Sequence, residues 1–230
     1  MREETRSSLD LKSLLKKNNA LHSVFDYARN QTVYFEDDVA DCVYYIQSGV
    51  ANATVVSEQG KEAVVDIFGP RDFFGQGCLT ALTRRTSTIS TITECVIAQI
   101  SKLEFLRILQ DEPAFSRSFV AYLSGRNIQM QQNIANQMLN SSEKRLVRIL
   151  ILLESYNGDN NTKLILSKIS QEMLAEMVGT TRSRVNYFLN KFRKLGIADY
   201  SRDTRVDGSL IKVIQRSETA RREAHQSERC

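Results

Sequence analysis

Residues 169–196, ISQEMLAEMVGTTRSRVNYFLNKFRKLG, constrain this chain more than any other stretch. The spacing predicts two short helices joined by a tight turn. Ser170 is placed to cap the first, and Leu174, Met177 and Val178 recur at i, i+3, i+4 on its buried side. Gly179 ends that helix by adopting the left-handed conformation that a Cβ disfavours. Thr180 or Thr181 caps the second helix, where Val185, Phe188, Leu189 and Phe192 form one apolar stripe. Opposite the stripe lie Ser183, Asn186, Tyr187 and Asn190, flanked by Arg182, Arg184, Lys191 and Arg193. From Thr180 to Lys194 there are five bases and no acid. The solvated face of an ordinary amphipathic hairpin carries acids as well as bases. This face instead fits the second helix of a helix-turn-helix, the one that enters the major groove of DNA.

Charge divides along the chain in the same sense. Residues 1–140 hold 14 Lys and Arg against 16 Asp and Glu, and residues 141–230 hold 17 against 11. The basic half is the half with the helix-turn-helix, as expected if only that half meets phosphates. With 230 residues the chain has room for two domains with separate cores. Its four cysteines, Cys42, Cys78, Cys95 and Cys230, are scattered, with no CxxC pair and no zinc spacing. Reduced thiols fit that pattern better than a disulfide framework. The longest apolar run, Leu146 to Leu153, is interrupted by Arg148, and the N-terminus lacks a signal-peptide core. A soluble cytoplasmic protein with no membrane partner is expected.

Residues 1–24 read as a polar N-terminal segment, with one short helix over Leu9 to Leu15. From Thr32 to Ser101 the runs TVYF, CVYYIQ, ANATVVS, AVVDIF, STISTIT and VIAQIS are strand-like and punctuated by glycines. They predict an antiparallel sandwich or barrel, with Gln59-Gly60 as a hairpin turn. Pro113 suits the first turn of a helix. Along that helix Val120, Leu123, Asn127, Met130, Ile134 and Gln137 repeat with spacing 3, 4, 3, 4, 3. Such a seam suits a parallel coiled-coil dimer, although a helix packed on its own domain shows a similar period. A further helix over Glu143 to Tyr156 precedes the helix-turn-helix. After it, two strands joined at Asp207-Gly208 read as a wing, and residues 217–230 read as a disordered tail.

The expected architecture is α+β: a jelly-roll-like β-roll over 25–112, a long dimerisation helix over 113–140 and a winged helix-turn-helix over 141–216. That order resembles the Crp/Fnr family of bacterial transcription regulators. The likeness is carried by VYYIQSGVANATVVSEQGKEAVV, FGPRDFFGQGCL, the RTSTISTIT strand, NSSEKRLVRIL and the ISQEMLAEMVGTTRSRV block. It implies a homodimer that binds a near-palindromic site and recruits or blocks RNA polymerase. It also implies a β-roll that holds a cyclic nucleotide or another small anionic effector.

Members that bind cyclic nucleotides place a Gly-Glu-Leu and then an Arg with a small neighbour around the phosphate and ribose. The matching residues here are Gly75-Gln76-Gly77-Cys78-Leu79, with Arg85-Thr86-Ser87 downstream and Arg84 beside them. Arg85 matches the phosphate Arg and Thr86 its hydroxyl neighbour. Gln76 replaces the Glu and loses its charge. Met130 and Gln131 stand near the positions where cyclic-AMP binders have a Thr-Ser pair against the base, so cyclic AMP is disfavoured. Gly75 and Gly77 also serve simply as turn glycines, and Arg84 with Arg85 also reads as a solvated basic pair. Cys78, next to the arginines in sequence, suggests a thiol of lowered pKa, against its commoner role as a small buried hydrophobe. No cysteines group in residues 1–40 for an iron–sulfur cluster, and His22 and His225 lie on polar segments.

For the DNA contact, the resemblance makes Arg182 the main base reader, suited to guanine O6 and N7. Ser183 occupies a position where the best-known relatives have a Glu that accepts from cytosine. Arg184, Asn186 and Tyr187 are base or phosphate contacts; Thr180, Thr181 and the wing residues Arg202 and Arg205 are backbone clamps. Two alternatives stay open: effector-independent action or control by Cys78 oxidation, and, from another class, a cyclic-nucleotide-binding module of an enzyme. No nucleophile–base pair, metal constellation or P-loop points to catalysis by the chain itself.

Overall fold

The computed structural model describes residues 23–156 and 169–194. Eight strands are described: β1 (Val24–Tyr27), β2 (Thr32–Tyr34), β3 (Cys42–Ser48), β4 (Ala51–Val56), β5 (Glu62–Phe68), β6 (Phe73–Phe74), β7 (Thr88–Thr91) and β8 (Cys95–Ser101). They form two antiparallel sheets, ordered β1-β8-β3-β6 and β2-β7-β4-β5. β3 shows why. Its run CVYYI is apolar at every position, which suits a strand covered on both faces. Cys42, Tyr44 and Ile46 point between the sheets, where they meet Ala53, Phe68, Phe74, Ile89 and Ile97. Val43 and Tyr45 point the other way, into a second cluster with Phe73, Ala98 and Ile100. A one-residue slip would exchange these two sets, so the register with β8, Val43 opposite Ile100 and Tyr45 opposite Ala98, is tightly specified.

The second cluster is closed by helices. α1 (Lys102–Asp111) starts at Ser101, whose hydroxyl accepts from the Glu104 amide at 3.2 Å. α2 (Pro113–Leu139) follows at once, with Pro113 in its first turn. Phe105 of α1 packs edge-to-face with Phe115 and Phe119 of α2, which stack on each other, and Phe73 meets Phe105 and Phe119 edge-on, with ring centroids 5.0 to 6.0 Å apart. The Tyr122 hydroxyl accepts from the Phe73 amide at 2.8 Å and donates to the Phe73 carbonyl at 3.1 Å, pinning α2 to β6. Beyond Phe119 no α2 side chain is fully buried. Val120, Leu123, Asn127, Met130, Ile134 and Gln137 are all exposed on the single chain.

The chain divides into two compact units between Met138 and Leu139. In the second unit α3 (Ser142–Ser155), α4 (Gln171–Val178) and α5 (Arg182–Lys194) share one core. Leu146, Leu150, Leu153, Leu174, Val178, Val185 and Phe192 are buried in it.

The six strand-like runs of the sequence are β2, β3, β4, β5, β7 and β8, and Gln59-Gly60 turns between β4 and β5 with Gly60 at φ +76°. β1, β6 and α1 were not foreseen from sequence. The helix over Leu9 to Leu15, the wing around Asp207-Gly208 and the tail lie outside the described residues. Among the described residues no helix is long and apolar enough to cross a membrane, and no cluster of His, Cys, Asp and Glu could hold a metal ion.

Candidate DNA-reading helix and effector pocket

The α4–turn–α5 unit is assembled from local signals and one distant one. Ser170 caps α4, its hydroxyl accepting from the Met173 amide at 3.1 Å. Gly179 closes α4 in the left-handed region, at φ +67° and ψ 50°. The Thr181 hydroxyl accepts from the Arg184 amide at 3.4 Å, so Thr181 rather than Thr180 caps α5. Arg145 of α3 supplies the distant signal. Its Nε donates to the Val178 carbonyl at 2.9 Å, its Nη2 to Gly179 at 3.3 Å and its Nη1 to Asn140 at 3.4 Å. One guanidinium therefore satisfies carbonyls at the end of α4 and ties the turn to the start of the unit. Sequence reasoning missed it, because its partners lie 33 and 34 residues away.

On α5 the stripe Val185, Phe188, Leu189 and Phe192 is buried, while Arg182, Ser183, Arg184, Asn186 and Tyr187 are exposed. Several of these side chains are held. Asn190 donates to Asn186 Oδ1 at 3.2 Å, and Arg193 donates to Asn190 Oδ1 at 3.2 Å. Arg182 Nη1 lies 2.7 Å from Glu172 Oε1 of α4, and Lys191 Nζ lies 2.7 Å from Glu143 Oε1 of α3. The bond to Glu143 raises the Lys191 pKa. α5 itself carries no acid, but two acids reach its face from other helices.

In the β-roll a cavity of about 210 Å³ opens between β-strands and α2. Gly75, Gln76, Gly77, Cys78, Arg84, Arg85, Thr86 and Met130 all line it, beside Tyr34, Val65, Asp66, Phe74 and Leu82. Arg85 is 5% exposed. Its guanidinium carbon sits 4.4 Å from the Tyr34 ring centroid and 5.4 Å from that of Tyr44. Its Nη1 donates to the Gly75 carbonyl at 3.0 Å, and its Nη2 lies 3.7 Å from Asp41 Oδ1. Burial pushes the Tyr34 phenol up to about 12 against the opposing pull of Arg85. Gly75 has φ +75°, and a Cβ there would come within 2.7 Å of Arg85 Nη1. Glycine is thus required both by the turn and by the arginine. Two buried atoms of this lining, Gln76 Oε1 and Arg85 Nε, have no partner among the described residues.

Residues 24–112 match the family model of the cyclic nucleotide-binding domain, and residues 144–213 match the Crp-like helix-turn-helix domain. The chain belongs to the Crp/Fnr family of transcription regulators. This Crp/Fnr regulator is 26% identical over 199 residues to the CRP-like cAMP-activated global transcriptional regulator of Mycobacterium tuberculosis, covering 86% of each chain. With the global nitrogen regulator of Nostoc sp. it shares 29% identity over 178 residues, 73% of this chain and 77% of the relative. Its fold matches the c-di-GMP responsive global regulator CLP of Xanthomonas campestris with a TM-score of 0.68 at 23% identity, over 85% of this chain and 98% of that one. These relatives are transcription regulators, and this chain is a transcription regulator of the same type.

One expectation for the pocket of this Crp/Fnr regulator is corrected. Gln131 does not line the cavity; it is exposed on α2, since successive helical residues point about 100° apart and Met130 takes the inward place. Cys78 is fully buried, and burial raises its thiol pKa despite the lowering influence of Arg85 and Lys102. Cys78 takes the commoner role of a small buried hydrophobe rather than that of a low-pKa thiol. Of the paired arginines, Arg84 is the exposed one and donates to the Asp37 carbonyl at 2.9 Å, whereas Arg85 is enclosed. Arg202 and Arg205 lie outside the described residues.

Proposed function

We propose that this regulator acts as a homodimer that reads a near-palindromic operator, with Arg182 at the N-terminal end of α5 as the guanine reader. The observation that carries the reading is α5 itself: a buried apolar stripe backing an exposed face of Arg, Ser, Asn and Tyr with no acid of its own. Arg184, Asn186 and Tyr187 contact bases or phosphates. Thr180, Thr181, Arg202 and Arg205 hold the backbone. Ser183 imposes no cytosine preference, so the operator differs there from those read through a Glu.

The dimer runs along α2. Its heptad positions Leu123, Asn127, Met130 and Ile134 are exposed on the single chain, which is the state of a seam awaiting its twin. In this reading 25–112 is the effector unit, 113–140 the dimerisation helix and 141–216 the DNA-binding unit, and bound dimers engage RNA polymerase in the cytoplasm.

The β-roll cavity takes a small anionic effector. Arg85 Nε offers a donor to an anion and Gln76 Oε1 an acceptor for a hydroxyl, and neither has another partner among the described residues. Relatives named for cyclic AMP and for c-di-GMP support a nucleotide. Cyclic AMP is nonetheless disfavoured, because Gln76 lacks the charge of a Glu and Met130 offers the base no hydrogen bond. Oxidative control through Cys78 is disfavoured by its burial.

Operator selection with randomised duplexes tests the DNA reading. Arg182→Ala is expected to cost about 1–3 kcal/mol on the cognate site and to relax preference at one base pair per half-site. An unchanged selection profile removes Arg182 as the reader.

A further inference from the structure

We propose that Glu172 is a specificity-determining residue for DNA, acting by positioning Arg182; the inference rests on Arg182 being the base reader. Glu172 stands in the first turn of α4, and its Oε1 is 2.7 Å from Arg182 Nη1. The two side chains are 51% and 67% exposed. Neither is needed to fill the core, and both sit where α5 presents its reading face. Because α5 carries no acid, Glu172 brings a negative charge to that end of the face from outside the helix.

Two consequences follow from this placement. The first is geometric. A free arginine side chain is long and flexible and pairs with any phosphate it reaches, which is the source of sequence-independent binding. Holding Nη1 on a carboxylate fixes the guanidinium and leaves the Nε–Nη2 edge, the parallel pair of N–H groups that suits guanine N7 and O6. The second is electrostatic. A carboxylate beside the reader is repelled by the phosphate backbone, so contacts in which Arg182 leaves Glu172 for a phosphate are penalised. Discrimination comes from weakening the wrong complex as much as from strengthening the right one. Arg182 is therefore kept for bases, and Ser183, which imposes no acidic preference of its own, is not the sole determinant beside it.

The test compares wild type, Glu172→Gln, Glu172→Asp, Arg182→Ala and the Glu172→Gln/Arg182→Ala double variant, all full chain, on operator and random-sequence duplexes over a salt series. Glu172→Gln is expected to raise affinity for random duplex about three- to tenfold and to steepen its log–log salt slope by about one, since Arg182 then engages a phosphate. Operator affinity should move by less than about twofold, so the discrimination ratio falls. In randomised-operator selection, Glu172→Gln should relax the same base pair that Arg182→Ala relaxes, and add nothing at that pair in the double variant. Glu172→Asp keeps the charge but shortens the reach. It should relax the base preference while leaving the salt slope near the wild-type value, which separates positioning from charge alone and from any effect on α4 folding. If Glu172→Gln changes neither ratio nor preference while Arg182→Ala still relaxes its base pair, the inference fails and the reader stands. If Arg182→Ala leaves the preference intact, the inference fails together with the reading beneath it.

Discussion

Arg85 is the one charged side chain among the described residues that is less than a tenth exposed. A guanidinium so enclosed is costly unless its surroundings replace water. Here two tyrosine faces, the Gly75 carbonyl and Asp41 do so, leaving only Nε without a partner. The cysteines follow the opposite logic, since nothing nearby stabilises their charged form enough to offset burial. Cys42, Cys78 and Cys95 all have raised pKa values, Cys95 to about 11. Burial favours the neutral thiol in the folded state. Their contribution to stability is thus fully present below the ordinary thiol pKa near 9 and is lost as pH rises, for Cys95 through about 11. At pH 8 the native protein should leave these three thiols unlabelled by iodoacetamide, and urea should make them reactive, as read by peptide mass mapping. Rapid labelling of Cys78 in the native state would restore oxidative control as a live mechanism.

Among the elements, α2 is tied to the β-roll by two polar contacts besides the packing of Phe115 and Phe119. One is the Tyr122–Phe73 pin; the other is the ion pair between Arg126 and Asp66 of β5, with the Arg126 guanidinium 5.0 Å from the Phe68 ring centroid. Both charged side chains are largely enclosed, and burial raises the Asp66 pKa despite the lowering effect of Arg126. Asp66→Asn should cost about 3 kcal/mol, because a buried cation is left behind, whereas replacing both partners with apolar residues should cost much less. Urea unfolding of the two single variants and the double variant measures this, and equal costs for single and double would contradict it. None of this attachment was legible in the sequence: Asp66 and Arg126 are 60 residues apart and neither belongs to a local motif. The strands were legible because alternation and glycine punctuation are local. β1 and β6 were not, being four and two residues long and stabilised by their pairing with β8 and β3. α1 had a readable signal in Ser101-Lys102-Leu103-Glu104, a capping sequence confirmed by the Ser101–Glu104 bond. On the DNA side the residue types of α5 were legible, whereas its partners Glu172 and Glu143, and the Arg145 that holds the turn before it, were not, since each belongs to another helix.

In the whole molecule, the proposed effector site and the proposed DNA-reading helix lie in separate compact units. Cyclic AMP should bind this protein weakly or not at all: losing a charged hydrogen bond to the ribose costs roughly 1.5–3 kcal/mol, one to two decades of affinity. Calorimetry with cyclic AMP, cyclic GMP and cyclic dinucleotides checks this. Micromolar cyclic AMP binding that Arg85→Ala abolishes would show that Gln76 and Met130 suffice for that ligand. Two chains joined along α2 are expected to read one operator. Native mass spectrometry of the protein on its selected operator measures this most directly. Two chains per duplex are expected, on half-sites about 10 base pairs or a multiple apart, with Leu123→Lys/Ile134→Lys giving free monomers that no longer form the complex. A single chain bound per duplex at full affinity, or a double variant that still binds as a dimer, would contradict it.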